Sequence, residues 1–257
     1  MDAFDLVFGM TYYQTEIEDT IIEPSGTYLV NQCYLDPQLD SALCDKITRD
    51  ADGFLDFIDA RFVNRDQEMY RGIDINANYD QNFNIGATGV RVGVDLIVHR
   101  QLEASETFID DTGNLDFEDY YGTRWFPKWK GQLGLRVNVS DFRWTWVVNY
   151  RGKNRQLDEE QDEFSDAFSE GEGTCYGPPD DVLCRDYGDM DDYWLHSTSL
   201  YWYGDAFTIG AGIRNVFDEE PPRVDSDEIW NSYNRTPIGL GYDLMGRTYF
   251  LNFIWKM

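Results

Sequence analysis

The cysteines carry the most reactive chemistry in this sequence, and their spacing indicates covalent cross-links. Cys33 and Cys44 lie close together, as do Cys175 and Cys184, and each pair falls in a polar stretch without a neighbouring histidine. Structural zinc, the alternative, requires Cys-x-x-Cys or Cys/His spacing, which neither pair has. We therefore predict two local disulfides, Cys33 with Cys44 and Cys175 with Cys184, and with them an oxidising compartment.

The histidines do not form a catalytic motif. His99 and His196 fall on different predicted strands, and the sequence contains neither a Gly-x-Ser-x-Gly elbow nor a glycine loop that cradles phosphate. We therefore expect the chain not to be an enzyme and to need no cofactor. This expectation rests on the missing motifs, because a fold by itself does not define a function.

The charge of the chain excludes one class of partner. Its 257 residues contain 48 Asp and Glu against 21 Lys and Arg, which gives a net charge of −27. Such a polyanion repels nucleic-acid phosphates, so we expect no nucleic-acid partner. Aromatic residues make up 16% of the chain, too many for an acidic disordered protein, and they indicate large buried or lipid-facing surfaces.

The membrane signals of helical and exported proteins are missing. No apolar run reaches the length of a membrane-spanning helix. Residues 1–5 have neither a cationic region nor an apolar core segment with a cleavage site. We therefore expect that, if the protein is exported, its true N-terminus lies upstream of Met1.

The dominant pattern along the chain is alternation of apolar with polar or small residues at period 2, which is typical of strands. It is clearest in 90–98, where valines and Leu96 alternate with Arg91, Gly93 and Asp95. The same pattern predicts eight strands, at 4–15, 70–79, 90–98, 129–139, 142–150, 193–203, 207–214 and 248–257. The strand at 193–203 has no clean division into two faces.

The connections between these strands alternate in length. Short turns are predicted at 80–84, 140–141 and 204–205, and long polar loops at 16–69, 101–127, 152–192 and 215–247. Two of the long loops are acidic, with seven acids and no base in 103–123 and fourteen acids against Arg185 alone in 158–192.

Tight turns at one end of the sheet and long loops at the other favour an antiparallel, up-and-down transmembrane β-barrel of the outer-membrane kind. Trp129, Trp144, Tyr150 and Trp255 would then be interfacial girdle residues. A cationic set would face the interior of the barrel: Lys128, Lys130, Arg136, Arg143 and Arg151. A soluble β-sandwich is the alternative, but its strands turn at shorter intervals.

Two motifs near the C-terminus resemble the signature of TonB-dependent outer-membrane receptors. The first is Gly212-Ile213-Arg214-Asn215-Val216-Phe217-Asp218-Glu219-Glu220-Pro221-Pro222, at the place of the penultimate strand of that family. The second is Tyr242-Asp243-Leu244-Met245-Gly246-Arg247, which precedes an alternating aromatic strand. Arg71-Gly72-Ile73-Asp74 and the run from Tyr12 to Ile21 resemble earlier segments of the family.

The resemblance implies that residues 1–257 are the C-terminal portion of a receptor barrel, with short periplasmic turns and long extracellular loops. The plug domain and TonB box of the family have no counterpart in the chain, and Met257 stands where the family usually has Phe or Trp. We expect a structural role for the motif residues Asn215, Phe217, Asp218, Pro221, Pro222, Gly246 and Arg247.

The function implied by the resemblance is uptake of a scarce ligand, such as a siderophore, cobalamin or an oligosaccharide, across the outer membrane of a Gram-negative bacterium. The implied partners are outer-membrane lipid, lipopolysaccharide and a small extracellular ligand, with TonB engaged only through the missing N-terminal part. Two alternatives remain: a complete eight-stranded barrel with a structural or adhesion role, and a secreted β-sandwich that binds glycans.

Overall fold

The computed structural model describes residues 4–35, 42–109, 115–155, 189–224, 232–233 and 236–256. Cys175 and Cys184 lie outside these ranges, and so do most acids of the loop at 158–192. The second predicted disulfide therefore stays a prediction.

The described residues form mainly β-strands, as the sequence predicts. One α-helix, α1 (Gly26–Leu35), and a 3-10 turn (Cys44–Lys46) interrupt them. No helix in these ranges has the length and apolarity needed to cross a membrane. The strands are β1 (Phe4–Ile22), β2 (Ile47–Arg49), β3 (Leu55–Ile58), β4 (Val63–Ile85), β5 (Thr88–Ile109), β6 (Leu115–Asp119), β7 (Trp129–Val139), β8 (Phe142–Arg151), β9 (Asn154–Arg155), β10 (Asp189–Met190), β11 (Tyr193–Tyr203), β12 (Phe207–Arg214), β13 (Ser232–Tyr233), β14 (Thr236–Pro237) and β15 (Thr248–Trp255).

One large sheet dominates the fold, with the order β1-β4-β5-β7-β8-β11-β12-β15. Each strand lies beside the strand that precedes it in this sheet, and from β5 to β15 the pairing is antiparallel throughout. The all-β, antiparallel, up-and-down prediction is confirmed to this extent. Among the described residues the sheet is open, with β1 and β15 at its edges.

The predicted strand boundaries hold best where the turns are short. β7, β8, β11 and β12 begin and end within one residue of the predictions. The turns at 140–141 and 204–205 are confirmed.

The predicted turn at 80–84 is wrong, because β4 runs through these residues and the hairpin turns at Gly86, where φ is +64°. The turn-forming residue types at 80–84 remain in the strand. Asp80 pairs there with Arg91 of β5, Nε to Oδ1 3.0 Å, so a residue that favours turns is held in the strand by a cross-strand ion pair.

The contacts divide the chain into two compact units. Unit 1 comprises Met1–Tyr13, Gly72–Leu102 and Tyr121–Met257, and unit 2 comprises Gln14–Arg71 and Glu103–Tyr120. The loops predicted at 16–69 and 101–127 are therefore in part wrong, since unit 2 contains the ends of β1, β4 and β5 together with β2, β3, β6 and α1.

The period-2 pattern did not predict that strands continue into unit 2, because these segments are rich in acidic residues. In β5, Glu106 lies opposite Glu118 of β6. Their carboxylates share the Tyr120 hydroxyl, which donates to Glu106 Oε2 at 3.0 Å and also to Glu118. Burial, followed by the hydrogen bond to Glu118, raises the pKa of Tyr120. The phenol therefore stays protonated and can donate its hydrogen to the two carboxylates.

The register of unit 1 gives its sheet two distinct faces, because residues directly opposite each other in an antiparallel pair point to the same side. The polar face carries Arg91, Asp95, His99, Lys130, Gln132, Arg136, Asn138, Arg143, Thr145, Asn149, Arg151, Tyr193, Ser197, Ser199, Tyr201, Thr208, Arg214, Thr248 and Asn252, together with the apolar Ile97, Val147, Leu195, Phe250 and Ile254. The apolar face carries Val90, Val92, Val94, Leu96, Val98, Trp129, Leu133, Leu135, Val137, Val139, Phe142, Trp144, Trp146, Val148, Tyr150, Trp194, His196, Thr198, Leu200, Trp202, Phe207, Ile209, Ala211, Ile213, Tyr249, Leu251, Phe253 and Trp255, with Arg100 opposite Trp129 at the loop end.

Glycines on the polar face make room for aromatic rings. A Cβ at Gly210 would overlap the ring of Tyr201, its partner on β11, and a Cβ at Gly212 would overlap the ring of Phe250. Each ring thus covers the bare backbone of a glycine on the neighbouring strand, a pairing that stabilises strands interrupted by glycine.

A small hydrophobic core closes the loop end of unit 1. Its buried members are Met190, Tyr193, Val224, Leu240 and Tyr242. The ring of Tyr193 meets that of Tyr242 edge to face, with 5.1 Å between the centroids. Loop segments far apart in sequence are therefore held together at the start of β11.

Unit 2 contains the predicted cross-link. Cys33 at the end of α1 is bonded to Cys44 at the start of the 3-10 turn, with 4.9 Å between the Cα atoms. Cys33 is buried, and the bond ties the helix to the β2–β3 hairpin that follows.

We expect the Cys33→Ser/Cys44→Ser double variant to destabilise unit 2 by about 3 kcal/mol, because the disulfide removes the closure entropy of the loop between the two residues. Hydrogen exchange of the Gly26–Leu35 amides measures the effect. The amides of β7 in unit 1 are the internal control, and equal loss of protection in both regions would contradict a local role.

Candidate functional site

The turn that follows β12 is built on Asn215. This residue is fully buried and has a φ of +51°, a backbone conformation that asparagine adopts more readily than most residues. Its Nδ2 donates to the Glu219 carbonyl at 2.8 Å, and its Oδ1 accepts from the Glu219 amide at 2.7 Å. One side chain therefore satisfies both backbone groups of Glu219 and closes the turn.

Asp218 connects the two motifs that carry the family resemblance. Its Oδ1 accepts the Arg247 amide hydrogen at 2.7 Å, and the φ of the preceding Gly246 is +66°. A Cβ at Gly246 would lie 3.1 Å from the Asp218 carboxylate, so glycine allows the close approach. Pro221 and Pro222 follow in the exit from the turn, half-buried ahead of the buried Val224.

Two polar residues of β11, His196 and Thr198, lie on the apolar face, and each accepts a hydrogen bond from a tryptophan of β8. Trp146 Nε1 donates to His196 Nδ1 at 3.2 Å, and Trp144 Nε1 donates to Thr198 Oγ1 at 3.0 Å. Thr198 in turn donates to the Thr145 carbonyl at 3.0 Å. These pairs explain why the sequence of β11 shows no clean alternation, and sequence reasoning missed them.

Phe217 of the first motif covers the histidine–tryptophan pair. Its ring centroid lies 4.9 Å from that of His196 and 6.3 Å from that of Trp146. The His196 carbonyl also accepts the Val216 amide hydrogen at 2.7 Å. The motif turn is therefore anchored to β11 through both the backbone and the ring of His196.

We expect Asn215→Ala to destabilise unit 1 by about 2–4 kcal/mol, since it removes two hydrogen bonds at a buried site and leaves alanine in a left-handed conformation. Guanidinium unfolding of the full chain, followed by far-UV circular dichroism, measures the loss. Asn215→Gly is the matched control, because it removes the same bonds but tolerates the φ. A glycine variant that is no more stable than the alanine variant would contradict the backbone argument.

A double-mutant cycle of Trp146→Phe with His196→Leu should show a coupling of about 1 kcal/mol, because each single variant leaves one polar group of the pair unsatisfied on an apolar surface. Unfolding free energies of the four proteins give the coupling. The control cycle pairs His196→Leu with Trp202→Phe, six residues along the same strand, where the effects should add. Equal coupling in both cycles would argue against the hydrogen bond.

The arginines of the polar face in the middle of the sheet are paired. Arg136 lies 3.7 Å from Asp80 and 3.5 Å from Asp95, and Arg91 donates to Asp80. Arg143 donates from Nε to Asn138 Oδ1 at 2.8 Å. Sequence reasoning placed Arg136 and Arg143 on this side but did not identify their partners, Asp80 and Asp95 for Arg136 and Asn138 for Arg143.

A cavity of about 480 Å³ opens on the polar face near the loop end of β7, β8 and β11. Lys130 and Arg151 lie directly opposite each other in its wall. Gln132 and Asn149, the next pair along the two strands, are joined by a hydrogen bond of 2.7 Å. We call this the Lys130–Arg151 cavity. No carboxylate is among the described residues that line it.

Arg151 is held by groups that do not neutralise it. One of its terminal nitrogens donates to the Arg124 carbonyl, and its guanidinium carbon lies 5.2 Å from the centroid of the Tyr242 ring. Its Nε is buried and has no hydrogen-bond partner among the described residues. Leaving a buried donor unsatisfied costs about 1–3 kcal/mol, so a ligand oxygen that accepts from this Nε would be stabilising.

A second cavity of about 500 Å³ adjoins the first and shares Asn149 and Leu195 with it. Its walls carry the hydroxyls of Thr145, Ser197 and Ser199, together with Arg214 and Asp243. It offers neutral donors and acceptors with one charge of each sign, which suits a polyhydroxylated or otherwise polar ligand.

Lys128, the fifth cation of the predicted interior set, lies outside β7 and does not line either cavity. Its Nζ lies 5.0 Å from the centroid of the Tyr121 ring, a cation–π contact. The sequence alternation that placed it with Lys130 does not extend beyond the strand.

Two charged pairs in the loops form ion pairs. The hydrogen bond from the exposed Arg61 lowers the pKa of Asp59 from 3.8 to about 2. The hydrogen bond to Asp189 raises the pKa of Lys153, whose Nζ lies 2.9 Å from that carboxylate. None of these four residues lines the Lys130–Arg151 cavity.

No protein-family model and no curated protein matches this chain.

Proposed function

We propose that the chain is the C-terminal portion of the β-barrel of a TonB-dependent outer-membrane receptor. The observation that carries this proposal is the apolar face of unit 1, which remains exposed: Trp194 and Leu200 keep 48% and 50% of their accessible area, and Leu251 keeps 79%. A face of this size on a water-soluble protein would be unusual, whereas lipid covers such a face on a barrel.

The distribution of aromatic residues on this face supports a membrane position. Trp129, Tyr150, Trp194 and Tyr249 lie toward one end of their strands, and Phe142, Trp202, Phe207 and Trp255 lie toward the other. Trp202 follows Trp194 by eight residues, about 26 Å along an extended strand. The band between the two rows is mainly aliphatic and also contains Trp144 and Trp146 with Thr198 and His196. The two rows agree with the interfacial girdles of outer-membrane barrels.

The polar face supports a role as the wall of a ligand path. It carries paired charges, hydroxyls and two cavities, as expected of the interior of a barrel that is wider than its side chains can fill. The sandwich alternative requires a second sheet on the apolar face, and no described segment provides one.

The open edges at β1 and β15 favour a part of a larger barrel. Unpaired strand edges are costly in lipid, so these strands need neighbours supplied by further strands or by closure on each other. In the proposed orientation β15 runs toward the periplasm. The turns at 140–141 and 204–205 are then periplasmic, the long loops are extracellular, and lipopolysaccharide contacts the outer rim.

The proposed ligand is a scarce small molecule taken up from outside the cell, for which the siderophore, cobalamin and oligosaccharide classes are the candidates. Uptake requires a plug and contact with TonB, which belong to the N-terminal part of such receptors. In this proposal the chain contributes the barrel wall and no catalytic step.

Spin labels at two neighbouring positions of β11 should report opposite surroundings when the full chain is reconstituted in lipid vesicles. We expect a label at Leu200→Cys to be accessible to oxygen and protected from a water-soluble nickel complex, and a label at Ser199→Cys to show the reverse, because the two positions are on opposite faces. Both variants carry Cys175→Ser and Cys184→Ser to avoid labelling elsewhere. Equal accessibility at the two positions, or a soluble protein without lipid, would contradict the membrane proposal.

The receptor part of the proposal has a separate test in the genome. The DNA upstream of codon 1 should encode, in one frame or a shifted one, a plug domain and about fourteen further strands, because plugged transporters of this class have 22. A signal peptide directly before the first strand, without a plug, would instead favour the complete eight-stranded barrel.

A further inference from the structure

We propose that the Lys130–Arg151 cavity binds an oxyanion, that is, a carboxylate or phosphate group of the ligand that passes along the polar face. This inference rests on the proposed function and deepens it, because it gives the ligand a chemical class. It depends on three observations: two opposed cations, an unsatisfied buried donor, and a cavity wall without acids.

The opposed cations are the first observation. Lys130 and Arg151 are direct cross-strand partners, an arrangement that is destabilising for like charges. Both side chains are half-buried, so water screens their repulsion less than at an open surface. In a chain with a net charge of −27, acids are abundant, yet neither cation forms an ion pair with any described residue.

Cations in the middle of the same face provide the contrast. Arg91 and Arg136 are paired with Asp80 and Asp95, and Arg143 is bound to Asn138. His99, which also lines the cavity, has Nδ1 2.7 Å from the Asp74 carboxylate. The fold thus provides carboxylate partners for Arg91, Arg136 and His99, whereas the described residues give Lys130 and Arg151 none.

The geometry of the site suits an oxygen ligand. Arg151 is oriented by the Arg124 carbonyl and the Tyr242 ring, and its buried Nε remains to be satisfied. Such a fixed guanidinium presents N–H groups in the arrangement that carboxylates and phosphates accept. Lys130 adds a second charge from the facing strand, and the cavity of about 480 Å³ has room for a small multivalent acid.

Titration calorimetry of the full chain, folded in detergent micelles, tests the inference with inorganic phosphate and citrate as probes. Sodium chloride keeps the ionic strength constant. We expect saturable binding of at least one probe, weakened about tenfold or more by Lys130→Gln and by Arg151→Gln, because each removes a charge-assisted hydrogen bond. Preference for phosphate or for citrate then tells which oxyanion the site takes.

Arg143→Gln is the matched control, since it removes one arginine from the same face of β8 at the far end of the strand. It should change the affinity by less than about twofold if the site is local. Arg151→Lys retains the charge and loses the guanidinium, so an intermediate affinity is expected even if Arg151→Gln does not fold. Circular dichroism checks the fold of every variant.

Two results would overturn the inference: no saturable binding of either probe, or equal weakening by Arg143→Gln and Lys130→Gln, which would indicate a general charge effect. Neither result depends on the spin-label or genome tests. If the chain binds an anion but fails the spin-label or genome test, the receptor proposal is refuted and the anion-site proposal stands. If the chain inserts into the membrane but binds no anion, only the anion-site proposal is refuted.

Discussion

Strand register is the constraint on which the rest of unit 1 depends. From β5 to β15 the strands are paired so that most charged and polar residues lie on one face and most aliphatic and aromatic residues on the other, as where Asn138 lies opposite Arg143 and Leu135 opposite Trp146. A slip by one residue would move a whole strand to the other face and bring arginines among tryptophans. The two-residue turn at 140–141, with Ser140 at a φ of +48°, fixes this register between β7 and β8.

His196 shows how the motif turn strengthens that register. Its carbonyl accepts the Val216 amide, its ring accepts from Trp146, and Phe217 lies against both rings. The turn after β12 is thus joined to β11 and β8, and Asp218 joins it to Arg247 ahead of β15. An asparagine, a phenylalanine and an aspartate close together in sequence thereby position four strands, which gives the motif a structural meaning independent of any family resemblance.

Most of the sheet could be predicted from period-2 alternation, because a strand whose two faces have different surroundings must alternate in residue type. β7, β8, β11 and β12 were placed almost to the residue, and the Cys33–Cys44 disulfide followed from spacing. Alternation failed where acids replaced apolar residues, as in the extension of β5, and where Asp80 resembled a turn residue but had an arginine across the sheet. The partners of Arg136 and the environment of Arg151 could not be predicted, because cross-strand contacts depend on register.

The distribution of acids gives the polar face its chemical character. Acids are numerous in the chain, yet on this face they are confined to positions such as Asp80 and Asp95, where each serves an arginine. Toward the loop end the acids are engaged elsewhere: Asp192 accepts from the Lys153 amide and the Tyr150 hydroxyl, and Asp189 pairs with Lys153. The described residues therefore leave Lys130 and Arg151 without a carboxylate partner. Because the chain as a whole is an anion of charge −27, the proposed site would select an oxyanion by close, well-oriented contact rather than by long-range attraction.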